Sequence, residues 1–325
     1  MAICKDYLKI GRYSCGSIGS LSITFTYTNE KGNFAMDKVK KEGSYWCSNT
    51  RNELWTGKGI GVAVLDTGAF PHIDFDNRIW NFQDFVNGRT KPYDDNGHGT
   101  HVLGIIGGSG AAGNGKIQGI APECGLIPIK VLDKKGNGSK EKVLKAFQWI
   151  LKNRENYNIR IVNISVGTTR REKHEDLIQA VEAVWDAGLV VVAAAGNMGP
   201  GRCSITAPGS SRKIITVGSS DMLMKNHGIS GRGPTKECIS KPDIVAPGNE
   251  IMSCTNSDSL FPYIARSGTS MSTPIVSGGI ALLLEKYPTM TNLEVKKKLW
   301  KTAKDLGYEH NLQGWGLFDL HKFLQ

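Results

Sequence analysis

From about residue 58 onward, the chain alternates short, nearly uninterrupted apolar runs with amphipathic ones. The runs IGVAVL (60–65), GLIPIKVL (125–132), IRIVNIS (159–165), LVVVAAA (189–195) and KIITVG (213–218) lack in–out alternation, which predicts strands buried on both faces. Between them, KEKVLKAFQWILKN sets Val143, Leu144, Phe147, Ile150 and Leu151 on one helical face. HEDLIQAVEAVWDAG does the same with Leu177, Ile178, Val181, Val184 and Trp185 before Gly188. Two more helices are predicted. One is SMSTPIVSGGIALLLEKY, with Pro274 placed in about its first turn. The other is LEVKKKLWKTA, with Leu293, Val295, Leu299 and Trp300 inward and Lys296 to Lys298 toward solvent. Strand–helix alternation of this kind predicts an α/β fold around a mostly parallel central sheet with right-handed crossovers. Ligands in such sheets bind at the carboxyl ends of the strands, so Asp66 and Asn197, each just past a predicted strand, fall on one edge.

Composition narrows the class of protein. With 325 residues and 40% hydrophobic content, a disordered or fibrous chain is excluded, and one large domain or two smaller ones fit. The longest apolar stretch, GGIALLLEKY, is cut by Glu285 and Lys286, so no membrane span is expected. The first residues, MAICKDYLKIGRYSCGSIG, hold no signal-peptide pattern. Seven cysteines form an odd set without a CxxC pair, which suggests a reducing, cytoplasmic compartment. Export by another route, or a chain shortened by removal of a leader, is the alternative. The net charge of +10 is spread over short clusters, Lys40-Lys41, Lys134-Lys135, Arg170-Arg171 and Lys296 to Lys298. These read as solvated faces, not as a nucleic-acid surface.

Three segments carry candidate chemistry: VAVLDTG with Asp66, NGHGTHV with His98, and SGTSMSTP with Ser270. A serine hydroxyl needs a base within reach, and a base needs a partner to fix its tautomer. Serine, histidine and aspartate together are the minimum set for acyl transfer through a covalent intermediate. Each has a plainer reading beside it. Ser270 fits a helix N-cap. His98 with His101 three residues on resembles half a metal site, for which Asp94 or Asp95 offers a third ligand. His101 also reads as a packed structural histidine. Asp66 in DTG resembles an aspartic protease turn, but that chemistry needs two carboxylates and the chain has no second DTG or DSG. Asn197 in AAAGNMGP is either a turn residue or a donor to an oxyanion, together with the backbone N–H of Ser270.

In the order Asp, His, Asn, Ser, these segments resemble the subtilisin-like serine proteases. The likeness runs from GKGIGVAVLDTG through NGHGTHVLGIIGG, IVNISVG, VVVAAAGN and KPDIVAPG to GTSMSTPIVSGGIALLL. It implies a three-layer subtilisin-like α/β fold with helices on both faces of the sheet, and serine endopeptidase activity on polypeptides bound in extended conformation. It further implies that Asp66, His98 and Ser270 form the triad, and that Asn197 and Ser270 form the oxyanion hole. By the same resemblance Ser165, Val166 and Gly167 pair with substrate backbone. Ala194, Ala195 and Gly196 wall the primary specificity pocket, and Thr206 sits near its floor. No acidic residue lines that pocket, so a medium or large apolar residue is expected there. The chemistry requires no cofactor. A structural calcium ion is possible, but GGSGAAGNGKIQGIAP lacks the asparagine-centred pattern of the tight site in relatives. Residues 51–325 are expected to form the peptidase domain, with residues 1–50 as an N-terminal extension or short propeptide-like segment. A catalytically silent scaffold that acts by binding is the alternative function.

Overall fold

The structure is a computed structural model that describes residues 55–168, 175–223, 228–257 and 261–325. The expectation for residues 1–50 lies outside the described residues.

The predicted apolar runs form the centre of one sheet: β1 (Gly61–Asp66), β2 (Gln83–Asp84), β3 (Gly125–Lys130), β4 (Ile159–Ile164), β5 (Val190–Ala194), β6 (Ile215–Ser219) and β7 (Ile244–Ala246). All seven pair in parallel, in the order β2-β3-β1-β4-β5-β6-β7. β1, β3 and β5 are buried at every residue, as continuous apolar runs require. Each large aliphatic side chain removed from water there contributes about 1.5–3 kcal/mol. An antiparallel hairpin, β8 (Ile251–Cys254) with β9 (Tyr263–Arg266), stands beside the sheet.

Helices cover both faces. The first, α1 (His98–Gly107), packs with α4 (Thr269–Lys286), and α4 also lies across β4, β5 and β6. On the other face α2 (Lys140–Asn153) packs on α3 (Glu175–Asp186). α2 starts where Ser139 Oγ accepts the Lys142 N–H. Then come α5 (Asn292–Thr302), α6 (His310–Gln313) and α7 (Leu320–Leu324). A capping box, Thr291 with Glu294, fixes the start of α5. α4 is buried almost all round from Met271 to Leu284, which explains its lack of an amphipathic pattern. No described helix is long and apolar enough to cross a membrane.

Two sequence expectations need correction. In α5, Leu293 and Trp300 are 59% and 58% exposed, while Lys296 turns inward. Its ammonium donates to the carbonyls of Arg212, Lys213 and Ile214 at 3.2, 2.8 and 2.9 Å. These strand-approach carbonyls need donors, and a lysine supplies three. The other correction concerns Pro274, which lies in the second turn of α4, where its missing N–H leaves the Ser270 carbonyl without a helical donor. Ser165 Oγ donates to that carbonyl instead, at 3.0 Å.

Candidate active site

Asp66 ends β1 at the carboxyl edge of the sheet, almost fully buried. Its Oδ1 accepts the Thr67 N–H at 2.7 Å and lies 2.7 Å from His98 Nδ1. His98 is the first residue of α1, and three contacts put it there. Asp94 accepts the N–H groups of Asn96, Gly97 and Thr100, tying down the first turn. Gly99 donates to Thr67 Oγ1 at 2.8 Å. A Cβ at Gly99 would meet the Gly68 carbonyl at 2.3 Å, so only glycine lets the helix approach β1 this closely. Burial pulls the His98 pKa down, but the charge of Asp66 and its hydrogen bond more than offset this, and the net shift is upward.

The metal alternative for His98 and His101 does not assemble. His101 Nε2 faces the carbonyls of Ile251 and Ile264, each at 3.0 Å, and burial pushes its pKa down to about 3. Asp94 is spent on helix capping, and Asp95 pairs with Lys130 at 2.7 Å. Lys130 is a site residue that the sequence reading passed over. Fully buried, its ammonium also donates to the carbonyls of Thr67 (2.5 Å) and Leu132 (2.9 Å). It therefore links the turn after Asp66 to the loop before His98. The available signal was a lysine closing a run of wholly apolar strand residues.

Ser270 is the second residue of α4, behind Gly268 at φ 145°, a conformation that favours glycine. Its Oγ donates to the Ser165 carbonyl at 2.7 Å, not to His98. Serines 165 and 270 thus hold each other through two reciprocal hydrogen bonds. Asn163 Nδ2 supports the pair from Ser165 Oγ, and Asn163 Oδ1 accepts the Ser277 hydroxyl.

Asn197 follows β5, and its Oδ1 accepts both the backbone N–H and the hydroxyl of Thr269, at 3.0 and 3.1 Å. With the carbonyl end so committed, the Nδ2 donors face the side where a Cβ on Gly268 would lie, 2.9 Å away. Ala194 and Ala195 are buried, while Gly196 donates to Thr269 Oγ1. Val166 is half-buried and Gly167 exposed after β4. Thr206 sits between the two walls. Its Oγ1 would be 2.3 Å from a Cβ on Gly167 and 2.5 Å from one on Gly196. Its N–H donates to the Ala195 carbonyl at 3.0 Å.

The loop after α1 bears on calcium. Asp74 is fully buried, and its carboxylate accepts the N–H groups of Gly110 and Ala112 and the Tyr263 hydroxyl. The Arg78 guanidinium donates to the carbonyls of Asp74 and Gly107. Positive ends of dipoles therefore surround the Asp74 carboxylate, and a cation needs the opposite orientation. These residues do not fit a calcium ion.

Comparison with known proteins agrees with this layout. Residues 57–316 match the model of the subtilase family. The chain is 40% identical over 306 positions to the serine protease AprX of Bacillus subtilis (strain 168), covering 86% of this chain and 69% of that one. It is 37% identical over 271 positions to subtilisin Savinase of Lederbergia lenta, covering 82% and 91%. Among solved structures, Sphericase superposes with a TM-score of 0.71 at 28% identity over 86% of this chain and 96% of that one. A cold-adapted subtilisin-like serine proteinase superposes with a TM-score of 0.66, also at 28% identity, over 84% and 91%.

Proposed function

Since the chain belongs to the subtilase family and is a subtilisin-like serine endopeptidase, we propose that it cleaves extended polypeptides through an acyl-enzyme on Ser270, with Asp66, His98 and Asn197 as its partners. The observation that carries this reading is the 2.7 Å contact between His98 Nδ1 and the buried Asp66. It fixes the imidazole so that Nε2 is the nitrogen free to take a proton. In the first step Ser270 Oγ bonds to the scissile carbonyl carbon while its proton passes to His98 Nε2. Collapse then breaks the C–N bond, and His98 returns that proton to the leaving amine. Water repeats the sequence to free the acid. The Ser270 hydroxyl, resting on the Ser165 carbonyl, turns about its Cα–Cβ bond to reach His98. The same turn frees the Ser165 carbonyl to pair with substrate.

Asn197 Nδ2 and the Ser270 N–H then supply donors to the oxyanion. Ala194 to Gly196, Ser165 to Gly167 and Thr206 bound the acyl-side pocket, and Thr206 shortens it, favouring a medium apolar residue. Subtilases need no cofactor for catalysis, and the Asp74 contacts support a loop held without calcium. The unpaired thiols of Cys124, Cys203, Cys238 and Cys254 support a reducing, cytoplasmic setting. Recovery of the protein from culture medium rather than from cell lysate would overturn that location.

Fluorophosphonate labelling tests the chemistry. The wild-type protein is expected to gain one adduct on Ser270 and Ser270→Ala none. Equal labelling of both, or no adduct on the folded wild type, refutes the mechanism.

A further inference from the structure

Arg266 closes β9 four residues before Ser270, half-buried, opposite Ile251 in the hairpin register. Its Nη2 lies 3.2 Å from where a Cβ on Gly97 would stand, directly beside His98. Its Nε is buried and finds no hydrogen-bond partner among the described residues. Among the described residues it forms no ion pair, although Lys130, Lys213, Lys241 and Lys296 all do. The neighbouring carboxylates are committed elsewhere: Asp66 to His98, Asp94 to the first turn of α1, and Asp95 to Lys130. Its charge is felt at both histidines: it works against the upward shift of His98 and adds to the burial that lowers His101. A half-exposed guanidinium beside the catalytic base, with no carboxylate partner among the described residues, is free to take the carboxylate of a ligand.

The side of the cleft follows from the chemistry. The acyl-side pocket is bounded by the ends of β4 and β5 and by Thr206. His98 must protonate the departing amine, so the leaving half of the substrate passes along the His98 side. Arg266 lies there, on the hairpin that packs against α1.

We propose that Arg266 forms a leaving-side subsite for a carboxylate, so that the protein prefers substrates with Asp or Glu as the first residue after the scissile bond. This rests on the Ser270 mechanism above and adds the class of substrate it acts on. A planar guanidinium accepts such a carboxylate through two parallel hydrogen bonds. The pair is partly exposed, so the expected preference for Glu over Gln is roughly fivefold in kcat/KM, the equivalent of about 1 kcal/mol. It should shrink as ionic strength rises, because such a pair is screened.

The test uses fluorogenic peptides identical except for Glu, Gln or Lys immediately after the cleaved bond, with the full chain and with Arg266→Gln and Arg266→Glu. Wild type is expected to rank Glu above Gln above Lys. Arg266→Gln should flatten the Glu-to-Gln ratio toward one, and Arg266→Glu should place Lys above Glu. Because each variant is read as a ratio between peptides, a change in overall rate does not mimic the result. Wild type that takes up fluorophosphonate yet cleaves the three peptides equally overturns the Arg266 subsite while leaving the mechanism intact. The same holds if Arg266→Gln keeps the full preference. A wild type that takes up no label overturns the mechanism on which the subsite rests.

Discussion

Asn197→Ala separates two jobs that one side chain performs. Its Oδ1 accepts two hydrogen bonds from Thr269, the first residue of the helix that carries Ser270. A net hydrogen bond is worth about 1 kcal/mol, and Asn197 is exposed, so water takes over part of the loss. The expected stability cost is therefore about 1–2 kcal/mol, a melting-point drop of a few degrees. The donor end acts differently, because the Nδ2 protons find charge to stabilise only in the transition state. Removing such a donor costs about 3–4 kcal/mol there, or roughly 10²–10³-fold in kcat. Uniform binding is untouched, so KM should stay within about twofold.

Asn197→Asp is the control. It keeps both acceptor contacts to Thr269 but aims negative charge at the developing oxyanion, so it should hold its melting point and still lose kcat at least as heavily. Steady-state hydrolysis of a fluorogenic peptide, with scanning calorimetry on the same samples, reads both effects. If Asn197→Ala keeps kcat within about threefold of wild type, or if the loss appears in KM alone, the donor role is wrong. A kcat loss in Asn197→Ala that Asn197→Asp does not share would assign the effect to the Thr269 contacts instead.

Catalysis needs neutral His98, whose pKa is raised, so kcat/KM should climb with pH through a midpoint above 6.5. Asp66→Asn removes the dominant raising cause and should lower both the midpoint and the plateau; an unmoved midpoint would contradict the assignment. Asp74→Asn sets amide protons against the N–H groups of Gly110 or Ala112, and should destabilise by about 3 kcal/mol or more. If EDTA lowers the wild-type melting point as much as that substitution does, the carboxylate holds a cation and the calcium-free reading fails. Thr206→Gly clears the space between Gly167 and Gly196, and should shift acyl-side preference from medium residues toward Phe or Tyr by tenfold or more. A peptide library that gives the same profile for both proteins would show that Thr206 does not bound the pocket.

The central strands were legible because a parallel sheet covered on both faces demands continuous apolar runs, and β1, β3, β4, β5 and β6 are such runs. β7 has three residues and β2 two, too short for any period to show. β9 is largely exposed, so burial left no imprint on its residues. α1 carries three glycines in ten residues, required by close approach to neighbouring segments and contrary to helix propensity. The chemistry-bearing residues stood out in sequence, yet the contacts that position them did not. Ser165, proposed for substrate pairing, also fills the gap left by Pro274, a pairing 105 residues apart that no local pattern encodes. Arg266 carries no local sequence signal, and it is the fold that brings its guanidinium beside Gly97 and His98.

The basic charge acquires a different meaning once three of its lysines are located. Lys130 and Lys241 are fully buried, and the Lys296 side chain is 17% exposed. Each ammonium donates to backbone carbonyls and lies against a carboxylate, Asp95 for the first and Asp243 for the other two. Burial pushes Lys241 down to about 8, with Asp243 working against the shift. Carbonyls at strand ends, where the ladder stops, must find donors or pay for desolvation. A lysine offers three donors and one positive charge at the end of a covalent tether, supplied by the chain itself. The arrangement is directional in its use. Lys241 and Lys296 brace the approach to β6 against Asp243 before β7, whereas Lys130 ties the turn after Asp66 to the loop before His98. The geometry of the proposed proton relay therefore depends on a buried cation that takes no part in the chemistry. Arg266 differs from these three in having no carboxylate partner among the described residues, and the proposed substrate subsite turns on that difference.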